Sequence, residues 1–458
     1  TMNTKQTYGK SRIRPLLSGL LLLAATAAFS SCSDDGEEND VLSILFEKSS
    51  VSVSVNGSEQ LRIKVITPGR GVSQTDWYDQ AANPLGIVWN SGNENAVHVD
   101  AQGVVTGIGT GNAPVTVTAP NGVYARTSVS VSNDAIFEKV AAGLTEEIVY
   151  SKGVQLERNA VMQCFDVDSK GELYYVQIAG SDAHKLHVLR GGANQSPADF
   201  MTLRWFGHGT NMAVEEQGAD RYIWINSNAN KLDDNSYSQS QTVSRIKYEA
   251  GKTLDKYSGE TFYLPGKRNV HPAIDAASDL LAITASTTGV RDFYVYKLSE
   301  ALALPVSDVS LTVTWGGEEG TQKTTETRVV QVRKLDQLTP VGQFSVSTGK
   351  TAADLGYYDF QGFDCTNGII YFYEGTGNNN DGKTASVAYV TLLDLKGAQV
   401  YPRTKVGAIA DMQALTTAGI TSTGYMEAEG IKMKNGSLWL GFASKSTDDI
   451  RRANIFRY

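Results

Sequence analysis

The sequence predicts an all-β protein in which a small β-sandwich is followed by a five-bladed β-propeller. Forty-four Gly against 11 Pro, together with 21 Tyr, 14 Phe and 6 Trp, is a turn-rich and aromatic-rich composition that favours β structure. Residues 42–132 alternate apolar and polar positions in short runs separated by turns. Residues 137–458 repeat a longer strand pattern, which indicates a second domain.

Composition and charge limit the function classes. The 458 residues are 41% hydrophobic and 20% charged, which is typical of soluble globular protein and argues against disorder or a polytopic membrane protein. Removal of an N-terminal segment with four basic residues would bring the net charge from −8 to about −12. No nucleic acid is expected as a partner, because phosphate binding needs concentrated positive charge.

Residues 1–31 have the pattern of a signal peptide, with basic residues between Lys5 and Arg14 and an apolar run over 16–29 that is too short to span a bilayer. The run ends in Phe-Ser-Ser before Cys32, which resembles the lipobox of bacterial lipoproteins and implies lipidation of the Cys32 thiol. Residues 32–41 form an acidic tether that resembles the surface-export signal of Bacteroidetes lipoproteins. The expected location is the outer membrane, lipid-anchored and exposed on the cell surface. The alternative is an ordinary signal peptide that contains a cysteine by chance.

The alternating segment 42–132 is predicted to form a β-sandwich. Its runs Val-Trp-Asn-Ser at 88–91, Ala-Val-His-Val-Asp at 96–100 and Gly-Val-Val-Thr-Gly at 103–107 resemble the bacterial Ig-like group-2 family. Trp89 is expected between the sheets, and His98 on a solvent-facing strand position. Such domains usually act as spacers or adhesion modules.

From about Ile136 a motif recurs five times: a polar residue, a short strand, a turn, an aromatic strand, a loop and a further strand. The five copies begin at Gln163, His208, His271, Gln361 and Glu427. Insertions at 228–241 and 306–327 suit blades with different loops, and a strand near 147–150 is expected to complete the last blade. A sandwich or β-helix with accidental self-similarity is the alternative.

Four runs in this part carry a resemblance: Trp-Phe-Gly-His-Gly at 205–209, Arg-Tyr-Ile-Trp at 221–224, Gln-Gly-Phe at 361–363 and Glu-Ala-Glu-Gly at 427–430. They resemble the propeller of teichoic acid biosynthesis protein C-like proteins, helveticin J-like bacteriocins and some staphylococcal phage receptor-binding proteins. The resemblance implies a five-bladed propeller that is associated with cell-wall or cell-surface glycans and often binds them without cleavage. The Ig-like segment and the anchor depart from that group and put teichoic acid itself in doubt as the ligand.

In a propeller the first strand of every blade lines the central channel, so the residues that open those strands should converge. The predicted ligand-binding residues are Gln163, His208, Asn211, His271, Tyr358, Gln361 and Glu429. Their amides, imidazoles and carboxylate suit sugar hydroxyls, and His208, His271 and Glu429 would also suit a divalent cation. Tyr358 is included because a sugar face can stack on an exposed aromatic ring. Alternatively, the channel residues bond one another and water, without a ligand.

Catalysis is a second hypothesis, since glycoside hydrolysis needs two carboxyl groups that face one another. Glu427 and Glu429 share the same strand parity, so both are expected to face the channel. Asp166, Asp275 and Asp364 recur near the ends of first strands, where a turn role is the better interpretation. The glycine- and asparagine-rich loop 375–382 is either a calcium loop or a plain hairpin loop.

Cys164 and Cys365 fall in non-adjacent blades of the predicted ring, so two buried free thiols are expected. Taken together, the sequence favours a surface lipoprotein whose propeller binds a glycan or cell-envelope polymer without catalysis. The first alternative is a polysaccharide hydrolase or lyase that uses Glu427 or Glu429. The second is an adhesin or a structural partner of a surface uptake complex.

Overall fold

The structure is a computed structural model that describes residues 40–68, 76–179, 185–230, 239–254, 259–315, 324–376 and 384–458. Strands dominate these residues, so the prediction of an all-β chain is confirmed. The predicted signal peptide, Cys32 and the tether up to residue 39 lie outside the described residues, as does most of the loop 375–382. Within the described ranges, no helix is long and apolar enough to cross a membrane.

Nine strands in the described part of residues 40–132 form three sheets, with strand orders β1-β4, β2-β9-β8-β5 and β3-β7-β6. Their bounds are β1 (Ser43–Phe46), β2 (Ser50–Ser54), β3 (Ser58–Gln60), β4 (Ile63–Ile66), β5 (Val88–Ser91), β6 (Val97–Val99), β7 (Val104–Gly107), β8 (Gly111–Thr118) and β9 (Tyr124–Ser132). Alternation buries one face of most of these strands, as in β6, where Val97 and Val99 are buried and His98 is exposed. Trp89 packs edge-on against Phe46 at a centroid distance of 5.8 Å.

Five further sheets follow the helix α1 (Asp134–Ala141). Along the chain, β10 (Val149–Val154) comes first and joins the last sheet. The first two sheets then contain β11 (Met162–Val167), β12 (Leu173–Ile178), β13 (Lys185–Gly191), β14 (Asp199–Arg204), β15 (Met212–Gln217), β16 (Asp220–Ser227), β17 (Thr242–Lys247), β18 (Thr253–Leu254) and β19 (Glu260–Tyr263). The third sheet contains β20 (His271–Asp275), β21 (Leu280–Thr287), β22 (Val290–Lys297) and β25 (Gly342–Ser347). Between β22 and β25 the chain forms α2 (Leu298–Ala303) and the strands β23 (Val306–Trp315) and β24 (Thr324–Lys334), which join the second sheet. The last two contain β26 (Asp359–Thr366), β27 (Ile369–Gly375), β28 (Ala388–Asp394), β29 (Gln399–Lys405), α3 (Met412–Thr417), β30 (Met426–Lys434), β31 (Ser437–Lys445) and β32 (Arg451–Arg457).

Each of these sheets is an antiparallel meander at its centre. The strand orders are β11-β12-β13-β14-β18, β15-β16-β17-β19-β24-β23, β20-β21-β22-β25, β26-β27-β28-β29 and β30-β31-β32-β10. The hairpin β23–β24, which accounts for the insertion predicted at 306–327, adds two strands to the edge of the second sheet. The closing strand expected near 147–150 is β10, and it pairs with the C-terminal strand β32.

The first strands of the five sheets touch one another in cyclic order, β11 to β15 to β20 to β26 to β30 and back to β11. We call this set the inner strands. They surround one axis, so residues at the same level of different sheets are brought together although they are far apart in sequence.

Aspartates near the ends of three inner strands connect each strand to the next sheet. Asp166 Oδ2 accepts a hydrogen bond from Val214 N–H at 2.6 Å. Asp364 Oδ2 accepts one from Met433 N–H at 2.8 Å. Asp275 Oδ2 accepts one from Asn367 N–H at 2.8 Å, and its other oxygen also closes a local turn with Ser278 N–H. The prediction of a turn role was therefore incomplete, because the repeated carboxylate mainly satisfies a backbone donor of the neighbouring sheet.

The axis is filled by protein at one level. Asn211 Nδ2 donates to Pro272 O at 2.8 Å, and Asn211 Oδ1 accepts from Phe363 N–H at 3.3 Å, which ties three inner strands together. At this level a Cβ on Gly362 would lie 3.1 Å from Asn211 Oδ1 and 3.3 Å from Gly430 Cα, which is closer than most side-chain contacts, and the φ of 129° at Gly362 also favours glycine. This level is the floor that separates the two ends of the axis.

The N-terminal sheets cover one end of the axis. Asn56 Nδ2 donates to Gly436 O at 2.6 Å, and Asn367 Nδ2 donates to Asn95 O at 3.1 Å. Asn133 Nδ2 donates to Tyr371 Oη at 2.8 Å, and this bond is buried. A cavity of about 590 Å³ lies between the N-terminal loops and the inner strands at this end.

The two cysteines are buried and free, so the prediction of unpaired thiols is confirmed. Burial raises the pKa of the Cys164 thiol, which keeps it protonated and unreactive.

Replacement of Asp166 tests whether the intersheet carboxylates hold the ring together. Asp166→Ala removes the acceptor of Val214 N–H and of Lys434 Nζ, which donates at 2.7 Å. We expect the free energy of unfolding in urea to fall by about 2 kcal/mol, because a buried backbone donor is left unsatisfied. Asp166→Asn keeps one acceptor oxygen and should lose less than half as much. Equal losses in the two variants would contradict this role.

Candidate functional site

The end of the axis opposite the N-terminal sheets holds a cavity of about 720 Å³ among the described residues. We call it the axial cavity. Strands of four of the five sheets and the loops that precede β15 and β17 contribute side chains to its wall. The lining residues are Val161, Gln163, Ile178, His208, Thr210, Gln239, Asn269, His271, Arg291, Asp359, Phe360, Gln361, Tyr425, Glu427 and Glu429.

Bulges in the inner strands direct three of these side chains into the axial cavity. The pairing register of β11 shifts around Gln163, that of β26 around Gln361 and that of β30 around Glu429. A bulge places an extra residue opposite one residue of the partner strand and turns its side chain out of the regular alternation. The glycines after Gln361 and Glu429 have φ of 129° and 102°, which residues with a side chain rarely adopt.

His208 reaches the axial cavity from the loop between β14 and β15. Gly207 and Gly209 have φ of 95° and 79°, and a Cβ on Gly209 would lie 2.7 Å from Val176 Cγ1. The loop can therefore pass close to the neighbouring sheet only with glycine at this position. The local backbone conformation thus explains the two glycines of the run Phe-Gly-His-Gly.

Both histidines of the axial cavity are neutral at pH 7. Burial lowers the pKa of His208 to about 4. Burial, the charge of Arg291 and then His208 together hold the pKa of His271 well below its ordinary value. His271 Nε2 lies 2.9 Å from Asn269 Oδ1, so the neutral ring is assigned as a donor at Nε2 and an acceptor at Nδ1. Among the described residues His271 Nδ1 has no hydrogen-bond partner.

Carboxyl groups of β26 and β30 occupy another part of the wall. Burial and the neighbouring Glu427 raise the pKa of Glu429 well above its ordinary value. Burial and Asp359 also raise the pKa of Glu427, although the Tyr425 hydroxyl donates a hydrogen bond to Glu427 Oε2. Glu429 therefore favours the protonated form, in which a carboxyl group both donates and accepts.

The structure brings together five of the seven residues predicted to bind a ligand, namely Gln163, His208, His271, Gln361 and Glu429. Glu427 lines the same cavity, as its strand parity predicted. Asn211 lies in the floor with its side chain engaged by backbone groups. Tyr358 stacks on Tyr389 at a centroid distance of 5.6 Å and is not among the lining residues. Ligand binding by the five that converge stays a prediction.

The sequence reasoning missed Arg291, Asn269 and Tyr425. Arg291 lies on β22, the third strand of its sheet, and the repeat pattern marked only the residues that open first strands. Asn269 and Tyr425 each lie within two residues of a marked position, so a wider window around the repeat would have included them.

Metal binding is not supported by a donor cluster. Within the described part of the chain, no three His, Cys, Asp or Glu side chains form a group that could hold a metal ion. His208, His271 and Glu429 line one cavity without forming such a group. A divalent cation in the axial cavity stays a prediction.

No protein-family model matches the chain. Over 156 residues the chain is 30% identical to a Bacillus subtilis (strain 168) protein provisionally named major teichoic acid biosynthesis protein C. This match covers 31% of the present chain and 34% of that protein. The chain therefore spans about a third of the length of the curated relative.

Similar solved structures include a subtype N11 neuraminidase-like protein of A/flat-faced bat/Peru/033/2010 (H18N11), with 10% identity, coverage of 70% of this chain and 90% of that chain, and a TM-score of 0.29. A GH43_1 enzyme from Xanthomonas citri has 13% identity, coverage of 70% and 93%, and a TM-score of 0.26. Domains 5–6 of the S-layer protein SbsC have 11% identity, coverage of 64% and 98%, and a TM-score of 0.16. Superpositions with TM-scores below 0.5 do not establish a common fold.

The raised pKa of Glu429 predicts that the stability of the fold depends on pH. A carboxyl group whose pKa is higher in the folded than in the unfolded protein stabilises the fold fully below its unfolded pKa of about 4.5, and this stabilisation is lost as the pH rises through the folded pKa. Glu429→Gln does not titrate there. We expect its Tm to exceed that of the wild type at pH 7 to 8 and the difference to shrink toward pH 4. Parallel Tm profiles would show that Glu429 is not held protonated.

Proposed function

We propose that this protein binds a glycan or cell-envelope polymer in the axial cavity. The observation that carries the proposal is the convergence of five polar side chains, four from inner strands of different sheets and His208 from the loop before β15, on a single cavity of about 720 Å³. Ligand sites of small molecules are commonly concave and of about 300–1,000 Å³. We further propose that the five sheets are the blades of a five-bladed propeller and that residues 42–132 form an Ig-like domain. The cyclic contacts of the inner strands and the three N-terminal sheets support this interpretation.

The wall chemistry suits sugar hydroxyls, each of which is both a donor and an acceptor. The amides of Gln163 and Gln361 offer donors and acceptors, and a neutral imidazole such as His271 offers one of each. Burial of these groups makes a hydrogen-bonded ligand favourable, because an unsatisfied buried polar atom is costly.

Apolar surface lies among these polar groups. Phe360, Tyr425 and Ile178 line the axial cavity, and the apolar face of a pyranose ring can pack on such side chains. The likeness to a protein whose name refers to teichoic acid biosynthesis adds support for a cell-wall or surface polymer as the class of ligand.

Cleavage of a polysaccharide, by a hydrolase or a lyase reaction, is the second candidate function. It is favoured by one observation, the raised pKa values of Glu427 and Glu429 in the same cavity. Glycoside hydrolysis uses one protonated carboxyl as the general acid and a second carboxylate as the base or nucleophile, and Glu429 and Glu427 are the candidates for these two roles.

A glycan screen of the whole chain tests the binding proposal. We expect at least one surface polysaccharide or oligosaccharide to bind in isothermal titration calorimetry, and Gln163→Ala and Gln361→Ala each to weaken it about fivefold through loss of hydrogen bonds. Gln343→Ala is the matched control, because Gln343 is exposed on β25 outside the cavity. An equal loss in the control, or no bound glycan, would contradict the proposal. Release of reducing ends that stops in Glu429→Gln would decide for the second candidate.

The location is a separate proposal. We infer that Cys32 carries a lipid and that the protein is anchored in the outer membrane on the cell surface, where it could join a surface uptake complex. The lipobox-like residues before Cys32 support this inference. Metabolic labelling with palmitate should tag the wild type and not Cys32→Ala, and Cys32→Ala should leave the membrane fraction. A labelled Cys32→Ala would contradict the anchor.

A further inference from the structure

Arg291 is a buried cation that faces the axial cavity. It lies near the start of β22, is 7% exposed and lines the cavity wall beside Phe360. Its guanidinium carbon lies 3.6 Å from the centre of the Phe360 ring. In the described part of the chain Arg291 Nη1 has no hydrogen-bond partner and the guanidinium has no carboxylate within ion-pair distance.

The other buried arginines of the described residues are all neutralised. Arg221 Nη2 lies 2.9 Å from Asp168 Oδ2, and Arg245 Nε lies 2.7 Å from Glu215 Oε2. Arg328 is paired with Glu326. A buried charge is normally paired, because removal of its hydration is costly. Arg291 departs from this rule, and of the four buried arginines it is the one that lines the axial cavity.

The electrostatic environment of Arg291 agrees with this geometry. Burial alone lowers the pKa of its guanidinium to about 9, with no contribution from a neighbouring carboxylate. The carboxyl groups of the cavity interact elsewhere: Glu427 accepts from Tyr425, and the charge that lowers its pKa comes from Arg451. The protein itself therefore leaves the Arg291 charge without a counterion.

His271 lies close enough to Arg291 for the guanidinium charge to lower the pKa of the imidazole. Arg291 and the neutral His271 thus lie side by side in one part of the wall of the axial cavity. A guanidinium presents parallel N–H groups that match two oxygens of an anion, and such charge-assisted hydrogen bonds are among the strongest in proteins.

We propose that the ligand of the axial cavity is an anionic glycan, and that the guanidinium of Arg291 binds its negatively charged group. This inference rests on the proposed glycan-binding function and specifies the class of ligand. Carboxylate, sulfate ester and phosphodiester groups share the required chemistry, since each offers at least two anionic oxygens at the spacing of the guanidinium.

Calorimetry on the whole chain tests the inference with matched probes. The anionic probes are trigalacturonic acid for a carboxylate, a sulfated chondroitin tetrasaccharide for a sulfate ester and a glycerol phosphate oligomer for a phosphodiester, and galactotriose is the neutral probe. We expect one anionic probe to bind at least about tenfold more tightly than galactotriose, and Arg291→Gln to abolish that preference, because a hydrogen bond to a charged group is lost. Arg190→Gln is the control, since Arg190 pairs with Asp199 outside the cavity and its loss should leave binding unchanged.

Folding of the variant is part of the test. Removal of an unpaired buried charge should raise the Tm of unliganded Arg291→Gln, and Arg291→Met provides a second variant that keeps the packing on Phe360. If galactotriose binds as well as the anionic probes, and both variants bind it like the wild type, the anionic ligand is wrong while glycan binding stands.

Small anions separate the inference from the proposed function. Glucuronate, sulfate and phosphate at millimolar concentration should raise the Tm of the wild type and not that of Arg291→Gln. If no oligosaccharide binds but this anion effect appears, the anion site stands and the glycan proposal fails. If no oligosaccharide binds and the small anions do not act through Arg291, both are wrong.

Discussion

The close packing of the inner strands around one axis is the constraint on which the rest of the structure depends. The backbones of β26 and β30 approach closely at Gly362 and Gly430, and the positive φ of both residues favours glycine there. Strands packed in this way must satisfy their N–H groups across sheet boundaries, and the carboxylates of Asp166 and Asp364 do so.

The same packing explains why the side chains of the axial cavity are polar and yet buried. Side chains such as Glu429 and His271 point inward from strand ends that are buried, so their neutral forms are favoured. Arg291 cannot become neutral at pH 7, since burial lowers its pKa only to about 9. The wall combines neutral donors and acceptors, the carboxyl groups of Asp359, Glu427 and Glu429, and one unpaired cation, Arg291. It is better suited to a hydroxyl-rich ligand with an anionic group near Arg291 than to an apolar ligand.

Much of the site could be predicted from the repeats, and the exceptions have physical reasons. Gln163, Gln361 and Glu429 were found because each opens an inner strand, although the bulges that turn them inward were not visible in the sequence. Asn211 was assigned to the ligand because it follows His208 closely, but its amide is used by two neighbouring backbones. Tyr358 is predicted to bind a sugar face because it lies just before Gln361 in a loop or at a strand edge, and in the structure its ring stacks on Tyr389 outside the lining of the axial cavity.

By itself the sequence determined the all-β class, the order of the strands and the polar residues that open the first strands, because alternation and turn chemistry are local properties. The tertiary structure decided which end of the axis stays open, since the N-terminal loops reach across to Gly436 and Asn367. It also decided that Arg291 belongs to the site. That placement depends on the packing of a third strand against a neighbouring sheet, and no local pattern records which charges will lack a partner once the sheets have assembled.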